Sequence, residues 1–204
     1  MNTTAVLKTL MGTLKGELVV AANGRVSREA FALKDRPQNF YMIGSMGLAS
    51  SIALGLALTQ PQHKVVILDG DGNVLMNLGG LPQIGELQPP NLIHIVLDNE
   101  TYGSTGNQAT ISRKIPLEKI AQASGYPVVE KVIEEKDLKL TLEKCLEKRG
   151  PSFLLLKVEA EEEPKGLPRV SHSPIAIRDR FMSALGRPER LPSPARGATN
   201  ARTV

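Results

Sequence analysis

The sequence predicts an α/β fold, a doubly wound and mainly parallel sheet with helices on both faces, and three observations predict it. The first is a set of short apolar runs rich in β-branched residues, at 18–22, 65–68 and 92–97 among others. Each is too short for a helix and is closed by turn residues. The second is that stretches of helical length separate these runs, as crossovers separate parallel strands. The third is chemical. One run ends in Asp69-Gly70-Asp71-Gly72-Asn73 and another in Asp98-Asn99-Glu100-Thr101-Tyr102. In a parallel sheet such ends share the edge where ligands bind.

In chain order, Val6, Leu7, Leu10, Met11 and Leu14 fall at helical spacing over residues 4–14. Residues 18–22 form the first strand, halted by Asn23-Gly24. Ser27 is the candidate N-cap of a short helix over 28–33. Arg25 and Arg28, just past the strand end, read as solvated or ion-paired side chains in preference to ligands for a substrate anion. A turn at Asp35-Arg36-Pro37 precedes a short strand at 40–43. Gly44-Ser45-Met46-Gly47 opens a helix reaching about Thr59, and its small side chains let the backbone approach the sheet and a neighbouring subunit.

After the Asp71 loop a crossover helix covers 74–87, its N-terminus aimed at the ligand of that loop. Pro82, behind Gly79-Gly80, predicts a kink or a restart, because an interior proline costs about 3 kcal/mol. Residues 100–110 are polar and glycine-bearing, the pattern both of a flexible surface connection and of a substrate-facing loop. A helix over 116–124, a strand over 128–132, an amphipathic helix over 137–148 and a strand over 153–158 continue the alternation. Glu161-Glu162-Glu163 reads as a solvated turn. A last helix covers 175–185, and the Pro-, Arg-, Gly- and Ser-rich end from Arg187 reads as a disordered tail behind one domain, 1–186.

At 204 residues the chain has room for one good-sized core. Its 23% charged and 41% hydrophobic residues are ordinary for a globular protein. A net charge of +4 with 3% aromatic residues argues against a nucleic-acid partner. The single Cys145 has no internal disulfide partner and sits in a charged helical pattern, as a structural thiol does. No apolar run reaches membrane-spanning length and Met1-Asn2-Thr3-Thr4 opens no secretory signal, so a cytoplasmic protein without a membrane partner is expected. His63, His94 and His172 stand apart, without zinc-type spacing, and His172 reads as a surface histidine.

At the Asp71 strand end, glycines let the backbone turn sharply and approach a ligand. A carboxylate beside free N–H groups there suits a magnesium-bound phosphate. Alone, Gly-Asp-Gly is equally an acidic turn. Followed by a crossover and an apolar strand ending in Asn99, however, Gly70-Asp71-Gly72 resembles the thiamine diphosphate motif of the 2-oxoacid decarboxylase family. The resemblance covers about residues 15–185. It rests also on Phe40-Tyr41-Met42-Ile43-Gly44-Ser45-Met46-Gly47, on Tyr102-Gly103-Ser104-Thr105-Gly106-Asn107-Gln108 and on Pro168-Arg169-Val170. It is nearest to members acting on sulfopyruvate and phosphonopyruvate. Where many relatives carry Asn-Asn this chain has Asp98-Asn99, which keeps the liganding second position.

The resemblance implies thiamine diphosphate and Mg2+ as cofactors. Asp71 and Asn99 would ligate the metal through side-chain oxygens and Thr101 through its carbonyl, with diphosphate oxygens and a water completing the octahedron. Gly72 and Asn73 would touch the diphosphate by backbone or side chain, and Gly70 and Tyr102 join the cofactor-binding set. The Gly44 carbonyl, beside Ser45, would accept a hydrogen bond from the aminopyrimidine, and Met46 would wedge the cofactor into a bent shape. The implied reaction is decarboxylation of a small anionic 2-oxoacid, the thiazolium taking up the electrons as carbon dioxide leaves. A phosphonopyruvate-type decarboxylase subunit, an acetolactate-type carboligase subunit and a non-catalytic cofactor-binding subunit are the alternatives. The family's activating glutamate sits on a pyrimidine-binding domain about as large as this chain. A partner subunit is therefore expected to supply it, in a hetero-oligomer.

Overall fold

A computed structural model describes residues 1–186, so the tail expected from Arg187 lies outside the described residues. The strands of the main sheet are β1 (Leu18–Ala21), β2 (Asn39–Tyr41), β3 (Val65–Gly70), β4 (Leu92–Asp98), β7 (Val128–Val132) and β8 (Ser152–Lys157). They lie in the order β2-β1-β3-β4-β8-β7, and every neighbouring pair is parallel. A separate antiparallel hairpin joins β5 (Thr101–Tyr102) to β6 (Gln108–Ala109). The helices are α1 (Thr3–Thr13), α2 (Arg25–Leu33), α3 (Ala49–Thr59), α4 (Asp71–Met76), α5 (Gly80–Leu87), α6 (Leu117–Ala123), α7 (Glu135–Glu147) and α8 (Pro174–Ala184).

The central strands are largely apolar because both faces of the sheet are covered. Val66, Leu68, Ile93 and Ile95 pack with α1, α2 and α7 on one face. Val65, Ile67, Leu92 and Val96 pack with α3, α5 and α6 on the other. Each such side chain, fully buried, contributes roughly 1.5–3 kcal/mol. From β1 the chain steps outward through α2 to β2, and α3 then carries it back past β1 to β3. The strand order therefore reverses between β1 and β3, and a crevice opens at their carboxyl ends, where ligands bind in such sheets.

Local expectations are corrected at several points. Helix α2 begins at Arg25, behind Gly24 at φ 89°. Ser27 therefore lies inside its first turn, where the hydroxyl donates to the Gly24 carbonyl at 3.2 Å. Residues 44–48 are not helical, since Ser45 (φ 58°) and Gly47 (φ 97°) sit in the left-handed region, and α3 starts only at Ala49. The crossover helix starts at Asp71 itself, breaks after Met76 and resumes at Gly80. Pro82 then falls in a first turn, where its missing N–H costs no intrahelical bond. Residues 100–110 fold back as the β5–β6 hairpin after Glu100, at φ 59°.

Glu161 and Glu163 are not a solvated turn, because Arg25 and Arg28 hold them as ion pairs. His172 sits at the surface but pairs with Asp35 at 3.1 Å. Cys145 is a buried free thiol, and burial pushes its pKa up, away from the thiolate a nucleophile needs. Among the described residues no helix is long and apolar enough to cross a membrane.

Candidate active site

The crevice at the carboxyl edge is an open cleft of about 970 Å3, including the solvent at its mouth. Met46, Gly70, Asp71, Gly72, Asn73, Asn99, Thr101 and Tyr102 all line it. Eight of the ten cofactor-site residues proposed from sequence are thereby brought together. Gly44 and Ser45 are not. They are exposed and line an adjoining apolar hollow with Ile43, Ile52, Pro174 and Ile177.

The parallel register aligns Gly70 with Leu97, so the β3 and β4 ends deliver Asp71 and Asn99 to one place. Asp71 is 2% exposed at the first position of α4. One carboxylate oxygen accepts from the Thr110 hydroxyl at 2.5 Å and from the Ser112 hydroxyl at 3.0 Å. The same Ser112 oxygen lies 2.8 Å from an Asp98 oxygen, so its single proton is shared between two buried carboxylates. Lys157 supplies the countercharge, its ammonium 2.9 Å from Asp98 and 2.5 Å from Glu100. This explains how the chain tolerates an aspartate at position 98. Burial and the Asp98 charge push the Asp71 carboxyl above its ordinary range, against the two hydroxyls and the Gly72 N–H.

A divalent cation fits this donor set. It would relieve the raised Asp71 carboxyl, and Asn99 and the Thr101 carbonyl stand at the adjoining strand end. The Asn99 side-chain oxygen accepts from the Thr101 N–H at 3.1 Å, which turns the chain back into the hairpin. Among the described residues no three His, Cys, Asp or Glu side chains cluster to hold a metal alone. A cation here would take one carboxylate, an amide oxygen and a carbonyl, and leave places for a phosphate and water.

Gly72 is the floor of the site. A Cβ built there would lie 2.6 Å from the Tyr102 ring and 3.5 Å from the Met46 methyl, so the absence of a side chain is what lets both approach. Asn73 departs from one expectation. Its side chain is turned away, giving its amide nitrogen to Asp69 at 2.6 Å and taking the Gly47 N–H at 2.7 Å. Only its backbone is left for a diphosphate.

Sequence reasoning missed the opposite wall, at the end of β1. Asn23, Gly24 and Arg25 face the Asp71 loop across the strand-order reversal, and α2 starts there without a side-chain cap. The Asn23 side-chain oxygen and the Thr3 hydroxyl, both on the cleft, are buried without a hydrogen-bond partner. The uncapped helix N–H groups and the Thr3 hydroxyl can donate to an anion such as a diphosphate, whereas the Asn23 oxygen accepts and calls for a donor. Asn23-Gly24 ending an apolar run was the available signal. Arg25 and Arg28 are ion-paired, as their composition suggested, to Glu29, Glu161 and Glu163.

Residues 23–155 match the family model of the thiamine pyrophosphate enzyme C-terminal TPP binding domain. Sulfopyruvate decarboxylase subunit beta of Methanococcus maripaludis is 39% identical over 180 residues, 88% of this chain and 95% of that protein. Phosphonopyruvate decarboxylase of Streptomyces viridochromogenes is 40% identical over 178 residues, 86% of this chain but 45% of the relative. Among solved structures, benzoylformate decarboxylase from Polynucleobacter necessarius superposes with a TM-score of 0.67 at 20% identity. It covers 80% of this chain and 34% of that one, a likeness of fold.

Proposed function

Because the chain belongs to the thiamine pyrophosphate enzymes and carries their C-terminal TPP-binding domain, we propose that it is the β-type subunit of a Mg2+-dependent 2-oxoacid decarboxylase acting on sulfopyruvate. The observation that carries this reading is the match to a sulfopyruvate decarboxylase β subunit along 95% of that relative's length. The metal side of the cleft supports it. Asp71 and Asn99 would hold Mg2+ by side-chain oxygens and Thr101 by its carbonyl, while Gly72 and the Asn73 backbone would approach the diphosphate. Met46 and Tyr102 stand on the floor at Gly72, where the ring end of the cofactor would lie. Gly44 and Ser45 meet that end at the subunit boundary.

In the reaction the bond between the carboxylate and the 2-oxo carbon breaks, carbon dioxide leaves and a proton takes its place, giving sulfoacetaldehyde. Thiamine diphosphate, when bound, accepts the electron pair of the breaking bond. This chain's residues orient the diphosphate and shield the ring.

The second glutamate-bearing half of the site comes from a partner. Among the described residues the two glutamates lining the cleft, Glu161 and Glu163, are already held by Arg25 and Arg28. Several relatives carry the name subunit beta. We place the hetero-oligomer in the cytoplasm, where the free thiol of Cys145 needs no oxidised partner. Phosphonopyruvate is the second substrate to assay, since phosphonopyruvate decarboxylase is as similar in sequence.

Carbon dioxide release from sulfopyruvate and phosphonopyruvate, with Mg2+ and thiamine diphosphate, tests the reading. The chain alone is expected to turn over neither. Mixed with a pyrimidine-binding subunit, it is expected to favour sulfopyruvate. Full turnover by the isolated chain would refute the divided site.

A further inference from the structure

Beneath the cleft runs a line of buried polar groups that ligand binding does not use. Asp69 on β3 and His94 on β4 are each 1% exposed. His94 Nε2 lies 3.0 Å from one Asp69 oxygen, and His94 Nδ1 lies 3.3 Å from the Tyr126 hydroxyl. The other Asp69 oxygen accepts from the Gly70 N–H at 2.9 Å and from the Asn73 amide at 2.6 Å. Asn73 in turn accepts the Gly47 N–H, and Asn77, one helical turn on, donates to the Gly47 carbonyl at 3.0 Å. Burying such a line inside the apolar core covered by α3, α5 and α6 carries a desolvation cost that no strand or helix requires.

The line has one sense. A carboxylate only accepts, so His94 offers Nε2–H to Asp69 and receives the tyrosine hydroxyl at Nδ1. Asn73 must then point its nitrogen at Asp69 and its oxygen at Gly47. Gly47 is pressed against α4, where a Cβ would meet Met76 and Asn77 side chains at 3.1 and 3.2 Å.

We propose that Asp69 and His94 are positioning residues that fix the Asn73 amide, which with Asn77 grips the Gly47 peptide on both sides and so sets where Met46 stands over the Asp71 loop. The inference rests on the reading of Met46 as the residue placed against the cofactor.

Asp69→Asn, in the full chain assembled with its partner subunit, tests it. With its oxygen kept by His94, an asparagine at position 69 turns an amino group toward Asn73, donor facing donor. If Asn73 flips to relieve this, the Gly47 N–H loses its acceptor. The readouts are deuterium exchange of segment 44–48, affinity for Mg2+-thiamine diphosphate by calorimetry, and kcat. Exchange confined to that segment is expected to quicken. Turnover should fall by up to about tenfold, no more than loss of the Met46 side chain itself would cost, and affinity should change by less than about threefold because the metal ligands remain.

His94→Gln, which keeps a donor for Asp69, should stay near wild type, whereas His94→Leu should behave as Asp69→Asn. Asn77→Ala leaves the buried pair intact and should also loosen segment 44–48, which keeps the test alive if the buried variants do not fold. Unchanged exchange in these variants overturns the proposal. So does faster exchange with wild-type turnover. Failure of the Met46 reading shows separately, as unchanged turnover in Met46→Ala.

Discussion

The two sides of the cleft are built on opposite plans. At the ends of β3 and β4, Asp71 and Asp98 are buried and surrounded by Thr110, Ser112 and Lys157, and the chain itself supplies these partners. Across the Gly72 floor, the Gly44–Leu48 loop carries two left-handed residues and leaves Ile43, Met46 and Leu48 exposed at 56%, 40% and 46%. Exposed apolar side chains in such a group mark a contact surface. On the proposed reading, the charge-binding half of the site would be completed within one chain, and the ring-binding half would be left open for a second.

Removing the central carboxylate should break that contrast most severely. Asp71→Ala is expected to lower Mg2+-dependent thiamine diphosphate affinity by about 3 kcal/mol or more, since a charged ligand to a divalent cation is lost. The circular dichroism spectrum should remain that of the wild type. Unchanged affinity in calorimetry would mean the metal sits elsewhere.

Next in size is Lys157→Met, which leaves Asp98, 4% exposed at its side chain, without its cation. Urea unfolding should show a loss of about 1–3 kcal/mol, the cost of an unsatisfied buried charged group. No loss would show that the hydroxyls alone sustain the buried side.

On the open side, Met46→Ala should lower turnover about tenfold, roughly 1.4 kcal/mol in the barrier. Cofactor affinity should be nearly kept, because the diphosphate anchor is untouched. Equal losses in both would erase the division of labour between the two sides.

The smallest effect is one of pH. Burial and the Asp98 charge raise the Asp71 carboxyl, so the folded chain holds that proton more tightly than the unfolded one. This group's stabilisation is full below its ordinary value of 3.8 and is lost as pH rises through the raised value. Metal-free Asp71→Asn should therefore melt above the wild type near neutral pH, and the gap should close on acidification. A gap that widens on acidification would reverse the assignment.

How far the sequence could be read follows the same division. Strands β3 and β4 were legible because parallel strands buried on both faces are written as largely apolar runs, and 128–132 matches the half-exposed edge strand β7 to the residue. Asp71 and Asn99 were legible because a strand end fixes where its next residue points. The 44–48 loop was not, because small residues before a small-residue helix look like its first turn, and only the left-handed Ser45 and Gly47 tell them apart. Thr110 and Ser112 return to Asp71 from 39 and 41 residues away, a closure no local pattern encodes. Asn23 and Thr3 became visible only as buried atoms without partners.

Lys157 reaches Asp98 from 59 residues further along the chain, at the end of a strand that itself must dock on β4. The proposed metal ligands Asp71, Asn99 and Thr101 are therefore synthesised well before the strand that completes their setting. Pairings so distant in sequence form late and slowly, because loop closure precedes the contacts that reward it. Until β8 arrives, β4 is an exposed apolar edge, the kind of intermediate that aggregates. A chain stopped before residue 152 would hold every ligand yet lack the site, and acquisition of cofactor affinity during refolding should time the docking of β8.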